Sequence, residues 1–343
     1  MTEKNYGGST SYGVKAKAQN SKQSEAKVKT EKQTSKKAEI DMDKVYTEEE
    51  EIEALKEAGK IASQVVAYAK TIVKKDASLL ELAEKIESKI IELGAKPAFP
   101  VNLSINEIAA HDTPTYDDTR KASGLLKVDI GVHINGYAAD TAFSVDLENS
   151  EENKALIKSA EEALAEAVKI TSKTSTLSQI GSAIENAMKK NKALPIANLS
   201  GHSIDRFDLH SGLTIPNIDN QSQTELGIGL FAIEPFATLH TGAGAVRDGP
   251  ESTIYSIIKE GNVRSPTARE VLAYIVDNYQ TLPFCTRWLY KKFSTKALLA
   301  IREIERADLL HSYAKLIERS NTKVAQAEHS ILLTDKEKVV TTV

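Results

Sequence analysis

One cysteine, one tryptophan and three methionines are a thin supply for 343 residues. With Cys285 alone no internal disulfide can form, which fits a reducing compartment and predicts a cytoplasmic protein. No apolar run approaches the roughly 20 residues that span a bilayer, so no membrane association is expected. The N-terminus also has no apolar stretch of the kind a secretory signal needs. Net charge is scarce too: 44 basic and 48 acidic side chains leave −4, which points to no partner. What is present, 41% hydrophobic and 27% charged residues, suits a globular protein with a sizeable core.

The small total charge hides an uneven distribution. Nine Lys against four Glu give the first 40 residues +5, which leaves −9 for the remainder. The same stretch is rich in Ser, Thr, Gln and Lys, with Tyr6, Tyr12 and a few aliphatics as its large apolar groups. It cannot bury enough surface to offset the entropy of ordering. Residues 1–41 are therefore expected to be a disordered basic extension, and 42–343 a folded domain. Such a tail has the charge to meet RNA or a ribosome surface, but a merely solvated tail has the same composition.

In the folded part, helix pairs alternate with strands. Thr47-Glu48-Glu49-Glu50 has the form of a capping box, and Ile52, Leu55, Ile61 and Val65 follow at helical spacing. Ser78 to Leu93 predicts a second amphipathic helix, with Gly94 at its C-terminal cap. Glu151 to Ala167 and Leu177 to Lys190 repeat the pair, so two similar α+β halves are expected. From about Val263 to Ser320 a block of net charge +4 reads as helical. It opens on Ser265 as N-cap with Pro266 behind it, and Ser294 to Ile317 is its last helix. A helix-turn-helix for nucleic acid has no further signature here, and a structural insertion walling a cleft is preferred.

The most informative stretch is LLKVDIGVHINGYAADTAFSVDL, Leu125 to Leu147. Asn135-Gly136 between two strand-like runs signals a two-residue type I′ hairpin, which pairs Ile134 with Tyr137 and Gly131 with Asp140. Asp129 and Asp140 then share a face as diagonal neighbours, with Cβ atoms roughly 5–8 Å apart. Two carboxylates that close, flanked by Val128, Ile130 and Val145, need a shared proton or a cation. The alternative is an edge hairpin with a wet polar face.

Further outliers lie downstream. His202 and His210 stand eight residues apart in the non-helical GHSIDRFDLHSG. LGIGLFAIEPFATL, Leu226 to Leu239, reads as one buried strand with Glu234 in its middle. KVAQAEHSILLTD reads as a closing strand with Glu328 embedded in it, and a buried carboxylate without a partner is costly. Four carboxylates and one imidazole, at Asp129, Asp140, His202, Glu234 and Glu328, suit two divalent first-row ions: Co, Mn, Fe or Zn. Two such ions can hold a bridging hydroxide and polarise a carbonyl, with Glu234 or a neighbour taking the water's proton. His111, in the loop before the hairpin, and His210 remain to hydrogen-bond the substrate and a developing oxyanion. A lone loop histidine is more commonly structural. The chemistry implied is metal-assisted hydrolysis of an amide.

Five segments, FPVNLSINEIAAHDTP, KVDIGVHINGYAADTAFSVD, GHSIDRFDLHSG, FAIEPFAT and AQAEHSILL, resemble in order and spacing the type 2 methionine aminopeptidases of archaea and eukaryotes. The resemblance runs from about Thr47 to the C-terminus. It implies the pita-bread fold, a two-halved sheet sandwich with helices outside, and makes the block at about 263–320 the type 2 helical insertion of a catalytic domain over 42–343. It implies metal ligands at Asp129, Asp140, His202, Glu234 and Glu328, substrate contacts at His111 and His210, and a methionine pocket including Phe99. The expected activity is removal of the N-terminal methionine from nascent chains and peptides when the second residue is small. Proline-specific peptidases share the fold and similar ligands, and an RNA- or ribosome-associated binding protein is the competing class. Nothing in the sequence demands a dimer, so a monomer is expected.

Overall fold

Local signals set the helices. In the computed structural model, which describes residues 45–343, α1 (Glu48–Ile72) starts at Thr47 with the reciprocal side-chain bonds of a capping box. Ser78 caps α2 (Leu79–Glu92), and Gly94 beyond it takes φ +90°, where a Cβ would be strained. Short strands β1 (Lys96–Pro97), β2 (Asn102–Ile105) and β3 (Ile108–Ala110) lead to the long hairpin β4 (Leu125–Ile134) and β5 (Tyr137–Asp146). A second pair, α3 (Glu151–Ile170) and α4 (Leu177–Lys190), is followed by β6 (Ala193–Pro195), β7 (Ser200–Ile204), β8 (Thr214–Pro216), β9 (Gly229–Ile233) and β10 (Phe236–Leu239). The chain then runs through β11 (Val246–Ile257), α5 (Pro266–Tyr279), β12 (Phe284–Cys285), α6 (Thr286–Phe293) and α7 (Thr295–Arg306). It closes with β13 (Leu310–Glu318), β14 (Val324–Gln326), β15 (His329–Leu333) and β16 (Lys338–Val340). The expected disordered extension over 1–41 lies outside the described residues.

The two halves are visible in the cores. Ile61, Val65, Leu82, Ile86 and Ile90 of α1 and α2 pack on Leu103, Val128, Ile130 and Val132 of β2 and β4. Leu156, Leu164, Ile180 and Ile184 of α3 and α4 pack on Phe231, Ile233, Ala325 and Ile331 of β9, β14 and β15. Each helix pair thus covers the outer face of its own strands. The sheets' inner sides, where β5 meets the closing strands, are joined by side-chain to backbone bonds. Thr141 Oγ1 donates to the Glu328 carbonyl at 2.9 Å, the Ser330 hydroxyl bridges the N–H and C=O of Asp140, and Ser144 does the same for Gln326.

Three of the expected elements are corrected. Leu226 to Leu239 is not one strand: β9 pairs with β7 and β15, whereas β10, beyond Pro235, pairs with β6 and β14. Lys323 to Asp335 breaks likewise into β14 and β15 at Ala327-Glu328. The helical block is shorter than 263–320. Its last helix ends at Arg306, Asp308 takes φ +54°, and Leu310–Glu318 forms strand β13 between β11 and β3. Pairing with strands distant in sequence decides the conformation there.

Candidate metal centre

The hairpin has the register that its Asn-Gly turn predicts: Ile134 pairs with Tyr137, Gly131 with Asp140 and Asp129 with Ala142. Asn135 and Gly136 both have positive φ, as a type I′ turn requires. Asp129 and Asp140 therefore project from one face of the β4–β5 ladder. His202 on β7 pairs with Ala232 of β9, two residues before Glu234. Glu234 and Glu328 occupy the two breaks described above, where neighbouring antiparallel strands leave one sheet for another together. His329 pairs with Ile233 on one side of the break and Gln326 with Phe236 on the other.

These five side chains converge. Asp140, His202 and Glu328 each present a ligand atom within 4.8 Å of the others. His202 Nε2 lies 3.8 Å from Asp140 Oδ2 and 3.6 Å from Glu234 Oε1. Asp129 lines the same cleft. Burial first, and then the charge of neighbouring carboxylates, pushes Asp140, Glu234 and Glu328 well above the usual carboxylate range. Burial lifts Asp129 to about 7 and holds His202 down to about 3, as a neutral imidazole with a lone pair to offer. Among the described residues, Asp129 Oδ1, Asp140 Oδ1 and Glu328 Oε1 are buried and meet no donor. Orphaned, crowded carboxylate oxygens beside a neutral imidazole fit a divalent cation, which would relieve both the repulsion and the missing bonds.

The remaining predicted residues line the same cleft. His111 follows β3 with φ +63°, and its Nδ1 lies 3.1 Å from the Ala314 carbonyl of β13. A carbonyl can only accept, so Nδ1 carries the proton and Nε2 is left as an acceptor. Burial lowers this imidazole to about 4, so it is neutral near pH 7. His210 stands beside His202 with ring centroids 4.4 Å apart, and its backbone N–H donates to Asp208 Oδ1 at 3.1 Å. Phe99 lies over Gly131, where a Cβ would run into its ring. Pro283, from the segment between α5 and α6, and Tyr313 of β13 complete the wall.

Several site residues, Gln326, Asn102 and Tyr313 among them, are not singled out by the sequence. Gln326 is almost fully buried, and its amide nitrogen reaches Glu234 Oε2 and Glu328 Oε2, each at 3.4 Å. A polar amide two residues before Glu328 in an apolar run was the available signal. Asn102 pairs with Asp129 across β2 and β4 and lines the cleft, as does Tyr313. Neither carries a local signal, because long-range pairing brings both there.

Residues 53–264 match the model of metallopeptidase family M24. The chain belongs to that family. It is 47% identical over 299 residues to the methionine aminopeptidase of Pyrococcus abyssi, covering 85% of this chain and 99% of that one. The methionine aminopeptidase of Methanocaldococcus jannaschii is 43% identical over 293 residues, covering 84% and 98%. Among solved structures, a thermophilic Arx1 superposes with TM-score 0.72 at 16% identity, covering 87% of this chain and 91% of that one. The methionine aminopeptidase of Thermotoga maritima gives 0.61 at 20%, covering 87% and 98%. A prolidase from Pyrococcus furiosus gives 0.55 at 18%, covering 87% and 64%. At these identities the structures speak for the fold alone, which is the pita-bread sandwich shared across M24. Among the described residues no helix is long and apolar enough to cross a membrane.

Proposed function

We propose that this M24 protein hydrolyses the peptide bond after an N-terminal methionine, with two divalent ions held by Asp129, Asp140, His202, Glu234 and Glu328. The observation that carries the reading is the convergence of those five buried or half-buried side chains, with unsatisfied carboxylate oxygens, in a chain 47% identical to a methionine aminopeptidase. Co, Mn, Fe and Zn all suit four carboxylates and one imidazole. Bound there, such ions supply Lewis acidity toward a carbonyl and lower the pKa of water.

The chain's own groups do the rest. Glu234 accepts the water's proton at a carboxylate oxygen, a role supported by the Gln326 amide nitrogen 3.4 Å from its Oε2. His111 offers Nε2 as an acceptor, which suits a substrate N–H better than an oxyanion. His210, beside His202, is the imidazole left to face the developing negative charge. Phe99, seated on Gly131, gives the methionine side chain an apolar wall. A small second residue is favoured because bulk next to the scissile bond would hold the carbonyl away from the caged ions. The protein acts on nascent-chain N-termini as a cytoplasmic monomer. The basic extension over 1–41, +5 across its first 40 residues, supplies a salt-sensitive contact with the ribosome.

Release of methionine from Met-Gly-Met, Met-Leu and Xaa-Pro peptides, read with the metal content of protein purified without chelator, tests the reading. Met-Gly-Met should turn over fastest, and faster cleavage before proline would assign the chain to the prolidase class. A chain starting at Asp41 should keep peptidase activity and lose ribosome co-sedimentation at low salt. Unchanged co-sedimentation would remove the tail's role.

A further inference from the structure

A second buried polar cluster lies outside the carboxylate cage, and the reaction outlined above does not use it. Glu87 of α2 and Arg287 of α6 form a two-pronged ion pair at 2.6 and 2.7 Å, with Arg287 fully buried and Glu87 5% exposed. The pair does not stand alone. Glu87 Oε1 accepts from the Val101 N–H at 3.3 Å, and Oε2 accepts from the Trp288 indole at 2.9 Å. Arg287 donates through Nε to the Pro114 carbonyl at 3.0 Å and through Nη2 to Thr113 Oγ1 at 3.2 Å. Four separate chain segments therefore meet on one carboxylate and one guanidinium.

Three of those segments carry the cleft wall. Val101 is two residues past Phe99, Thr113 is two past His111, and Arg287 is four past Pro283; Phe99, His111 and Pro283 all line the cleft. A buried ion pair adds little net stability, because desolvation offsets most of the attraction. What such a pair supplies is orientation, through a planar fork whose donors have fixed directions. We infer that Glu87 and Arg287 are positioning residues, which hold Phe99, His111 and Pro283 in register around the substrate and tie the helical block to the first helix pair.

This inference rests on the proposed role of that cleft in binding methionyl substrate. The test compares wild type, the double variant E87M/R287M, and R287K, with metal content measured on each. Apolar side chains of similar reach should keep the double variant folded. R287K keeps the charge and loses the fork to Thr113 and Pro114. Both should retain metal, and kcat/KM for Met-Gly-Met should fall about tenfold, since small misplacements of positioned groups are costly. The preference for methionine over norleucine or leucine at the first position should narrow as well. A purely structural pair would lower Tm without moving that preference. Wild-type kcat/KM and an unchanged preference in whichever variant folds, R287K alone included, would overturn the inference. Failure of wild type to release methionine would instead overturn the proposed function.

Discussion

Replacing His111 with alanine separates the cleft imidazole from the cage beside it. His111 Nδ1 is held by the Ala314 carbonyl, so the substitution costs the fold about one hydrogen bond, on the order of 1 kcal/mol. The five candidate ligands keep their own anchors: the β4–β5 register for Asp129 and Asp140, the β7–β9 pairing for His202, and the Gln326 amide for both glutamates. Metal content should therefore be unchanged. What disappears is a neutral acceptor in the cleft wall, proposed above to meet a substrate N–H. Groups of that kind contribute about 10²–10⁴ in rate, equivalent to about 3–5 kcal/mol of barrier. His111→Ala should thus carry wild-type metal and lose two to four decades of kcat on Met-Gly-Met. Asp140→Ala removes a member of the tightest ligand trio and should come out depleted in metal. Elemental analysis of both proteins, purified side by side without chelator, reads the difference. A metal-free His111→Ala protein would refute the assigned role, and so would an undiminished kcat.

Three further outcomes follow from particular contacts. At Gly201, next to His202, an added Cβ would strike the Ala232 backbone carbonyl. Gly201→Ala should then push β7 off β9, cost about 1–3 kcal/mol, and weaken metal retention in a chelator titration. At Gly131 the added methyl runs into the Phe99 ring and crowds the Ala98 methyl, both away from the candidate ligands, so Gly131→Ala should raise KM for Met-Gly-Met while metal content stays intact. His133, which accepts from the Gly136 N–H at 3.0 Å, is held down to about 3 by burial, against 6.5 as a free group. Its neutral form is the folded one, so its contribution is full above pH 6.5. That contribution falls by about 1.4 kcal/mol per pH unit as pH drops toward 3. The amide oxygen of Asn can take over the bond to Gly136. His133→Asn should therefore flatten the acid limb of urea-derived stability between pH 6 and 4.5, and parallel limbs would contradict the assignment.

Much of the architecture was legible because it is written locally. The capping box at Thr47, the serine caps at 78 and 265, and the start of α4 at Leu177 all stand where short-range signals put them. The hairpin is the strongest case. A two-residue turn fixes the register of ten residue pairs, and with it the shared face of Asp129 and Asp140. The misreading of Leu310–Glu318 has the opposite origin. It continues directly from the helical block, and only pairing to β11 and β3, distant in sequence, makes it a strand.

Glu234 and Glu328 show the same limit inside the cage. In a continuous strand, alternation would assign each glutamate to one face, and the carboxylate would point into a core or into water. Neither happens, because the chain leaves one sheet for another at Glu234-Pro235 and again at Ala327-Glu328, at matching levels of two paired strands. At such a break a side chain is released from the pleat, and its direction is set by which strands flank it on each side. Pro235 marks one break, since it brings no N–H to a ladder; Ala327 leaves the other unmarked. Two of the four carboxylates could thus be placed by geometry from the sequence, and the other two only as polar groups too deeply embedded to lack a partner. Glu234 and Glu328 join the candidate centre where local order ends, because a cage that also draws on Asp129, Asp140 and His202 needs side chains aimed across sheets, and a regular strand aims them only along its own pleat.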